Sequence, residues 1–331
     1  MGIIDLFSGV GGLGLGFKLA GFEIDVAVEL NPKRSMVYKR NVKPNIMISG
    51  DVRNVDFTQF RNVDGVIAGP PCQPYSNATP RGKKYANHPY FGLDFEVVRV
   101  VKQVKPRFIV IEEVPTWKPN GIVDELRKLN YDVYAHIYNM NVYGVPMKRR
   151  RWIVVAVERG LANDFTIPMV KPSSPGDMLS GLPEEPCSSN PCMWKGKVIY
   201  DHVNVEVNSK LREVIPLIPP GYSLVMAHKA GLIDASKYVK DINKKHSYWL
   251  YRIHPNEPLP TVPNPRRSML LHPFFNRIVT VRELARLYTF PDLFSFKPLN
   301  IDEMYSAITD SVPPLFAMHV ATAIKKLITL P

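Results

Sequence analysis

A glycine-rich turn between a short apolar run and a helical stretch places the strongest constraint on how this chain folds. Residues 2–6 lead into Phe7-Ser8-Gly9-Val10-Gly11-Gly12, and a helical pattern then continues to about Ala20. Such glycines let the backbone approach a ligand at a helix N-terminus, and a carboxylate about 20 residues further on accepts hydrogen bonds from ribose hydroxyls. Glu29 has that spacing. The segment predicts a site for a nicotinamide nucleotide or S-adenosylmethionine, with a purely structural turn as the alternative.

Strands and helices alternate through the first half of the chain. This alternation is typical of an α/β fold with a mainly parallel sheet that is covered by helices on both faces. Asn31-Pro32 has the residues of a helix start, since Asn caps and Pro suits the first turn. The predicted strands lie at 24–29, 63–68, 107–112, 132–138 and 151–157, and further helices at 92–104 and 119–129.

The character of the sequence changes after about residue 163. Six prolines fall between Ile167 and Pro191, and the segments up to residue 275 are short and mixed. Helical periodicity returns near Thr280, and a final helix is predicted from Pro313 to Ile328. We therefore predict a first domain over 1–165, an irregular insert over 166–275, and a helical return over 276–331 that completes the first domain.

The charge and cysteine content narrow the classes of function. Lys and Arg number 42 against 30 Asp and Glu, which gives a net charge of +12 and favours a polyanionic partner. Three cysteines are too few for a disulfide scaffold, so a reducing compartment is expected, with Cys187 and Cys192 incidental rather than metal ligands. Neither a signal peptide nor an apolar run of about 18 residues is recognised, which predicts a cytoplasmic protein with no membrane contact.

A cysteine stands in a rigid turn after the predicted strand that ends at Ala68. The turn reads Gly69-Pro70-Pro71-Cys72-Gln73-Pro74-Tyr75-Ser76, and its prolines fix the backbone at a strand end, where sheets of this class bind ligands. Zinc deaminases need a second cysteine where Tyr75 stands, so no metal site is predicted. The setting favours Cys72 as a nucleophile over the usual buried apolar role of a lone cysteine.

Six sequence blocks follow one another along the chain. In order they are Phe7–Gly12, Pro71–Ser76, Glu112–Val114, Tyr143–Arg151, Arg282–Arg286 and Ser311–Pro314. With these blocks the chain resembles the DNA (cytosine-5) methyltransferases of the bacterial and archaeal modification type. The resemblance implies a Rossmann-like S-adenosylmethionine-dependent domain and a smaller irregular target recognition domain in the insert. It implies methyl transfer to C5 of a flipped-out cytosine in duplex DNA, with S-adenosylhomocysteine as product.

The resemblance assigns catalytic roles to four residues. Cys72 matches the thiolate that attacks cytosine C6, and Glu112 matches the carboxyl that grips N3 and the exocyclic amine. Arg149 and Arg151 match arginines that contact the base carbonyl and nearby phosphates, and we expect both on one strand and on one face. The substrate-binding positions implied are Pro71, Ser76 and Thr261.

The resemblance also assigns the cofactor site. Phe7 stacks on adenine, Gly9 and Gly11 approach the methionine portion, and Glu29 takes the ribose. The remaining implied cofactor residues are Ser8, Asp51 for the adenine amine, and Ser311 with Val312 closing the pocket.

Three positions depart from the family pattern. Glu113 and Asp310 replace asparagine, and Met147 replaces glutamine; we expect Glu113 to be a capping or solvated carboxylate. Residues 77–91, with Arg81, Lys83 and Lys84, resemble the mobile catalytic loop. The candidate DNA contacts in the insert are Lys195, Lys197, Lys210, Arg212, Lys237, Lys240, Lys244, Lys245, Arg252, Arg266 and Arg267.

Three alternatives stay open at the level of sequence. They are the RNA-methylating branch of the same family, with transfer RNA as substrate, an inactive DNA-binding relative, and a nicotinamide dehydrogenase. The hypothesis favoured by the blocks is an active, monomeric, nucleoid-associated DNA methyltransferase. Its partners are double-stranded DNA and, in a restriction–modification pair, a restriction endonuclease.

Overall fold

The structure is a computed structural model that describes residues 1–76, 79, 82, 84–162, 164–203, 205–261 and 268–329. Arg81, Lys83, Arg266 and Arg267, named above, lie outside the described residues. The chain divides into two compact units. The first unit comprises Met1–Tyr143, Arg150–Val170 and Ser311–Pro331, and the second comprises Gly144–Arg149 and Lys171–Asp310. Residues 276–310 thus pack within the second unit, while the predicted functional boundaries at 165 and 275 stay a prediction.

The first unit is built on a seven-stranded sheet with the order β3-β2-β1-β4-β5-β8-β6. β8 runs antiparallel to both of its neighbours, and the other pairings are parallel, so the predicted mainly parallel α/β fold is confirmed. The strands of this sheet are β1 Gly2–Leu6, β2 Glu23–Glu29, β3 Ile46–Ser49, β4 Gly65–Ala68, β5 Phe108–Glu113, β6 Tyr131–Asn139 and β8 Arg150–Glu158.

Helices cover the sheet and also form most of the regular structure of the second unit. Asn31 caps α2 as predicted, since its side chain accepts hydrogen bonds from the N–H groups of Lys33 and Arg34. The helices are α1 Gly12–Leu19, α2 Pro32–Asn41, α3 Phe95–Val104, α4 Asn120–Lys128, α5 Pro175–Leu179, α6 Ser209–Val214, α7 Leu224–Lys229, α8 Val281–Leu287, α9 Ile301–Asp310 and α10 Pro314–Thr329.

The central strands are apolar because both of their faces are covered. β4 and β5 are buried along their whole length, which leaves no alternation of polar and apolar residues. Gly65 pairs with Phe108, and a Cβ on this glycine would lie 2.1 Å from the Phe108 ring. The glycine therefore makes room for Phe108, which stacks on Phe17 of α1 at 6.2 Å.

The C-terminal helix α10 packs closely against α1 in the first unit. A Cβ on Gly16 would lie 2.3 Å from the Cβ of Ala317 and 2.6 Å from the carbonyl oxygen of Pro314. Lys325 donates a hydrogen bond to the carbonyl oxygen of Ala20 at 3.0 Å. The small residues let the two helices approach, so residues 311–329 complete a layer begun near the start of the chain.

The second unit has little sheet and is organised around buried arginines. Its strands are β7 Met147–Lys148, which pairs in parallel with β11 Leu259–Pro260, and the antiparallel pair β9 Cys192–Trp194 and β10 Lys197–Ile199. Arg282 is fully buried and donates to the carbonyl oxygens of Tyr200, Pro291 and Phe294. Such a cation can be buried because carbonyl oxygens replace its water.

Two expectations about the insert are wrong. Arg252 is not a DNA contact: it is buried and donates to the carbonyl oxygens of Ile215, Ile218, His272 and Phe275 and to Oδ1 of Asn276, which uses all five of its N–H donors. The second wrong expectation is that Cys187 and Cys192 are unpaired thiols.

Cys187 and Cys192 were expected to be incidental thiols, and they form a disulfide. Their Cα atoms lie 6.2 Å apart, because Cys187 binds the backbone of His202 while Cys192 begins the hairpin β9–β10 nearby. Spacing in the sequence does not reveal this approach. Among the described residues no helix is long and apolar enough to cross a membrane.

Candidate active site

The strand order of the first unit changes direction at β1, which lies between β2 and β4. In open α/β sheets ligands bind at such a switch point, outside the carboxyl ends of the strands. Leu6 pairs with Ala68, and the N–H of Gly69 donates to the carbonyl oxygen of Leu6 at 3.4 Å. The glycine turn after β1 and the cysteine turn after β4 therefore start side by side, as the two sequence motifs require if they form one site.

The glycine turn is held open by backbone geometry and by one carboxylate. Phe7, Gly9 and Gly11 have φ values of 55°, 57° and 102°, in the left-handed region that glycine adopts without strain. Glu29 accepts the N–H of Gly9 at 2.9 Å through Oε2 and the N–H of Asn31 at 2.8 Å through Oε1. Glu29 thus fixes the turn to the end of β2. Its carboxylate oxygens keep lone pairs that could accept hydrogen bonds from ribose hydroxyls.

There is room for a ligand beside this turn. A Cβ on Gly9 would meet no atom within 4 Å among the described residues. Ser8 is buried, and its hydroxyl has no hydrogen-bond partner among them. Gly11 caps α1, whose first N–H groups and dipole favour an anionic group. The turn has the features of a site for a cofactor with an anionic portion.

The segment Ser311–Val312 closes against the same turn. A Cβ on Gly12 would lie 2.2 Å from the carbonyl oxygen of Val312 and 3.0 Å from the Cβ of Ser311. This contact is possible only with glycine, since the opposing atom is backbone. The structure therefore brings the predicted residues Ser311 and Val312 to the glycine turn from the far end of the sequence.

A buried carboxyl lies just below the turn and was not predicted as a site residue. Asp5 of β1 accepts a hydrogen bond from the Tyr38 hydroxyl at 2.8 Å, and both side chains are buried. Burial raises the pKa of Asp5 to about 7, although the Tyr38 hydrogen bond opposes the shift. A lone aspartate in a short apolar strand gives no sequence signal for such a pair.

Asp51 follows β3 as predicted, but its carboxylate already has partners. It accepts the N–H of Arg53 at 3.0 Å and the guanidinium of the same residue at 2.5 Å. The Arg53 hydrogen bond lowers the pKa of Asp51. An adenine amine would have to share this carboxylate with Arg53, so the predicted role of Asp51 stays a prediction.

The cysteine turn is rigid and partly open. The carbonyl oxygen of Cys72 accepts the N–H groups of Tyr75 at 3.0 Å and Ser76 at 2.9 Å. The carbonyl oxygen of Tyr75 in turn accepts the hydroxyl of Thr116 at 2.6 Å, and the Tyr75 ring is buried. Cys72 is partly exposed and takes no part in a disulfide. A nucleophile needs this combination of fixed backbone and accessible sulfur.

Glu112 lies beside the cysteine turn and pairs with Arg151. β4 and β5 are in register up to Ala68 and Ile111, and a Cβ on Gly69 would lie 3.9 Å from Oε2 of Glu112. Nε of Arg151 lies 3.1 Å from Oε1 of Glu112, with both side chains mostly buried. A base held here would meet a carboxylate whose charge is compensated by one guanidinium.

Arg149 and Arg151 do not share a strand, contrary to the sequence prediction. β7 ends at Lys148 and β8 begins at Arg150, because β7 leaves the central sheet to pair with β11. The predicted alternation of exposure is present nonetheless: Lys148 and Arg150 are exposed, and Arg149 is buried. Arg149 belongs to the second unit.

In the second unit Arg149 is positioned by two neighbours. Its guanidinium lies 5.6 Å from the centroid of the Tyr288 ring, a cation–π contact. The hydroxyl of Thr261 donates to the carbonyl oxygen of Lys148 at 2.6 Å. This bond fixes Thr261, a predicted substrate residue, to the residue that precedes Arg149. The structure thereby joins two segments that the sequence analysis treated separately.

Two of the residues that depart from the family pattern, Met147 and Asp310, differ in their exposure to solvent. Met147 is buried in β7, whereas Asp310 is exposed at the end of α9. Among the described residues no group of three or more His, Cys, Asp or Glu side chains is arranged to hold a metal ion.

A fold with this switch point and these turns defines a Rossmann-like α/β protein, a class that binds its ligands outside the carboxyl ends of the central strands. Comparison with known proteins then gives the family. Residues 1–326 match the family model for C-5 cytosine-specific DNA methylases. The chain belongs to this family and is an enzyme of the DNA (cytosine-5) methyltransferase class.

The relatives cover nearly the whole chain. The type II methyltransferase M.NgoPII of Neisseria gonorrhoeae is 31% identical over 345 residues, which cover 98% of this chain and 96% of that protein. The type II methyltransferase M1.HphI of Haemophilus parahaemolyticus is 29% identical over 340 residues, with 98% and 87% covered. A solved structure, described as a candidate DNA modification methyltransferase of an E. coli prophage, covers both chains fully with a TM-score of 0.78 at 23% identity, and supports the fold.

Proposed function

We propose that this enzyme transfers the methyl group of S-adenosylmethionine to C5 of a cytosine that is flipped out of a specific duplex DNA sequence, through a covalent bond between Cys72 and cytosine C6. The observation that carries the proposal is the placement of Cys72 and Glu112 at the ends of two adjacent strands, next to the glycine turn. The nicotinamide alternative explains neither the cysteine turn nor the family match.

The glycine turn would hold the cofactor, which supplies an electrophilic methyl group on sulfur when bound. Phe7 would stack on its adenine, Glu29 would bind its ribose, and the open space beside Gly9 would admit its methionine portion. Ser8, Gly11, Asp51, Ser311 and Val312 complete this proposed binding set. The unpartnered hydroxyl of Ser8 fits a polar ligand there.

The proposed chemistry starts from the weak nucleophilicity of cytosine C5. The Cys72 thiolate adds to C6 while Glu112 supplies a proton to N3, and C5 then has the electron density of an enamine. After C5 has taken the methyl group, water accepts the C5 proton, the Cys72 sulfur leaves C6 as a thiolate, and N3 returns its proton to Glu112, which restores the aromatic ring. Glu112 is assigned this proton because its carboxyl lies beside the cysteine turn, where the base would be held.

The other proposed substrate residues hold the base. Arg151 would compensate the charge of Glu112 and contact the base carbonyl, and Arg149 would contact the flipped nucleotide. Pro71 and Ser76 keep the cysteine turn in one conformation, and Thr261 fixes the backbone before Arg149. Flipping the base costs a few kcal/mol, which phosphate contacts elsewhere would offset.

A lysine-rimmed cleft in the second unit supports a nucleic-acid partner. Its volume is about 400 Å³, and Nζ of Lys245 lies 4.6 Å from the centroid of the Trp249 ring. Lysines around a cleft neutralise phosphates and release counterions. The lining residues are Asn208, Lys210, Leu211, Tyr238, Val239, Lys240, Asp241, Lys244, Lys245 and Trp249.

A companion endonuclease, a monomeric state and a nucleoid location remain part of the proposal.

The test combines a substrate comparison with a trap. Labelled S-adenosylmethionine is supplied with unmethylated duplex DNA or with total transfer RNA, and the products are mapped by bisulfite sequencing. Methylation of cytosine in one recurrent short DNA sequence is expected. Label in transfer RNA alone would assign the enzyme to the RNA branch, and label in neither, with cofactor binding demonstrated, would indicate an inactive relative.

The covalent step is tested with 5-fluorocytosine at the mapped target. Fluorine at C5 blocks proton loss, so the protein–DNA adduct should accumulate, and mass spectrometry should locate it on the peptide that contains Cys72. Cys72→Ser should form no adduct and show no turnover while still binding DNA. Undiminished methylation by this variant would refute the mechanism.

A further inference from the structure

A polar cluster is buried behind the cysteine turn, at the point where β5 ends. It contains Glu113, whose side chain is 1% exposed, together with Asp94 at the start of α3 and Tyr75 of the turn. Trp117 Nε1 donates to Oδ2 of Asp94 at 2.9 Å. Glu113 was expected to be a capping or solvated carboxylate: it is not solvated, because helix α3 and the cysteine turn cover this face of β5, but it does accept one backbone N–H.

The hydrogen bonds of Glu113 are incomplete for a carboxylate. Oε2 accepts the N–H of Val114 at 2.6 Å, but Oε1 has no hydrogen-bond partner among the described residues. Oδ1 of Asp94 is likewise buried with no such partner. A buried carboxylate with one unpaired oxygen is costly, whereas a protonated carboxyl carries no charge and can donate its proton.

Four titratable groups surround Glu113, from each element packed on it. Glu112 lies on the same strand, Asp94 on α3, Arg151 on β8 and Tyr75 on the cysteine turn. The pKa of Glu113 is raised to about 9: burial is the main cause, the charges of Glu112 and Asp94 add to it, and the Val114 hydrogen bond and Arg151 oppose it. Arg151 lies 3.1 Å from Glu112, so its charge compensates that neighbour directly.

We propose that Glu113 is a positioning residue that works as a neutral carboxylic acid, so that no second negative charge stands beside the Glu112–Arg151 pair at the end of β5. An ionised Glu113 would place a second negative charge next to Glu112 and compete for Arg151. The neutral group instead supports the backbone that joins Glu112 to Val114. The assignment rests on the proposed catalytic role of Glu112, but its first test does not.

The first test measures thermal unfolding of Glu113→Gln and wild type from pH 5 to pH 9. Wild type loses stability as the pH rises above the unfolded-state pKa of 4.5, because the unfolded chain releases a proton that the folded chain retains. The variant has no proton to release. Its Tm should therefore match or fall slightly below that of wild type at pH 5 and exceed it by about 3 °C or more at pH 8.

A matched control is Glu23→Gln, which changes an exposed glutamate at the start of β2. Its Tm difference from wild type should not grow with pH in this way. A pH-independent difference for Glu113→Gln would overturn the proposal, and it would do so even if the enzyme proved inactive.

The second test uses the methylation assay. Glu113→Gln should keep kcat within about threefold of wild type near pH 7.5 and should lose less activity than wild type as the pH passes 9. Glu113→Ala, which removes the supporting group, should lower kcat more than it raises KM for DNA. A loss of about tenfold or more in Glu113→Gln with an unchanged Tm would show that the charge itself is needed, and would overturn the assignment.

Discussion

Nε of Arg151 lies 3.1 Å from Oε1 of Glu112, and the two residues come from antiparallel neighbouring strands, β8 and β5. The pair is mostly buried, so neither charge is well solvated when the other is removed. Removing one member of such a pair costs more than the pair itself contributes.

Arg151→Ala should therefore impair the enzyme through Glu112. We expect kcat to fall by about two orders of magnitude or more, because the Glu112 carboxyl loses its compensating cation and its orientation. Arg151→Lys should recover part of the loss, since a cation remains but the planar guanidinium does not. Steady-state kinetics with the mapped DNA target would measure both variants, and equal rates for Arg151→Ala and wild type would contradict the assigned role.

Gly12→Ala should destabilise the first unit and weaken cofactor binding. The added Cβ would lie 2.2 Å from the carbonyl oxygen of Val312, so the C-terminal segment must move. The expected loss is about 1–3 kcal/mol in the free energy of unfolding, measured by denaturant titration. Gly50→Ala is the control, because a Cβ there would meet no atom within 4 Å among the described residues, and the two variants should differ clearly.

The lysines of the cleft should act through DNA phosphates. Lys240→Ala with Lys245→Ala should weaken DNA binding for all sequences and reduce the dependence of log Kd on log salt by about 2. The matched control is Lys128→Ala on α4, where the lysine pairs with Glu125 at 2.8 Å. An unchanged salt dependence, measured by fluorescence anisotropy, would exclude the cleft from the DNA interface.

Asp5 should make stability depend on pH below neutrality. Its pKa is raised from 3.8 to about 7, so the folded state keeps a proton that the unfolded state releases as the pH rises through this window. The contribution of Asp5 is thus fully present below about pH 4 and is lost by pH 7, at a rate of up to roughly 1.4 kcal/mol per pH unit. Asp5→Asn should remove this slope, whereas Asp124→Asn on the exposed side of α4 should not.

The fold and the two turns could be predicted because their signals are local. Glycines, prolines and runs such as Val66-Ile67-Ala68 specify turns and buried strands without reference to the rest of the chain. The order of the blocks then indicated Glu112 as a partner of Cys72, and the register of β4 and β5 brings the two segments together.

The errors concern residues whose roles depend on distant neighbours. In the sequence Arg252 cannot be distinguished from an exposed arginine. It has a structural role only because its guanidinium donates hydrogen bonds to surrounding carbonyl oxygens. Arg149 and Arg151 are separated because β7 pairs with β11, a contact across more than 100 residues. Glu113 is buried because α3 and the cysteine turn cover it. The local sequence pattern around each of these residues does not reveal its contacts with distant residues.

The closure of Val312 on Gly12 has a consequence for biosynthesis. The glycine turn and its helix α1 leave the ribosome early, yet the segment that packs on them follows the 140 residues from 171 to 310. Val312 comes 293 residues after Leu19, the last residue of α1, so at about 5–20 residues per second α1 waits roughly 15–59 s for it. During this interval the face of α1 that contains Gly16 has no partner from α10. The proposed cofactor site can therefore close only after the second unit has been translated.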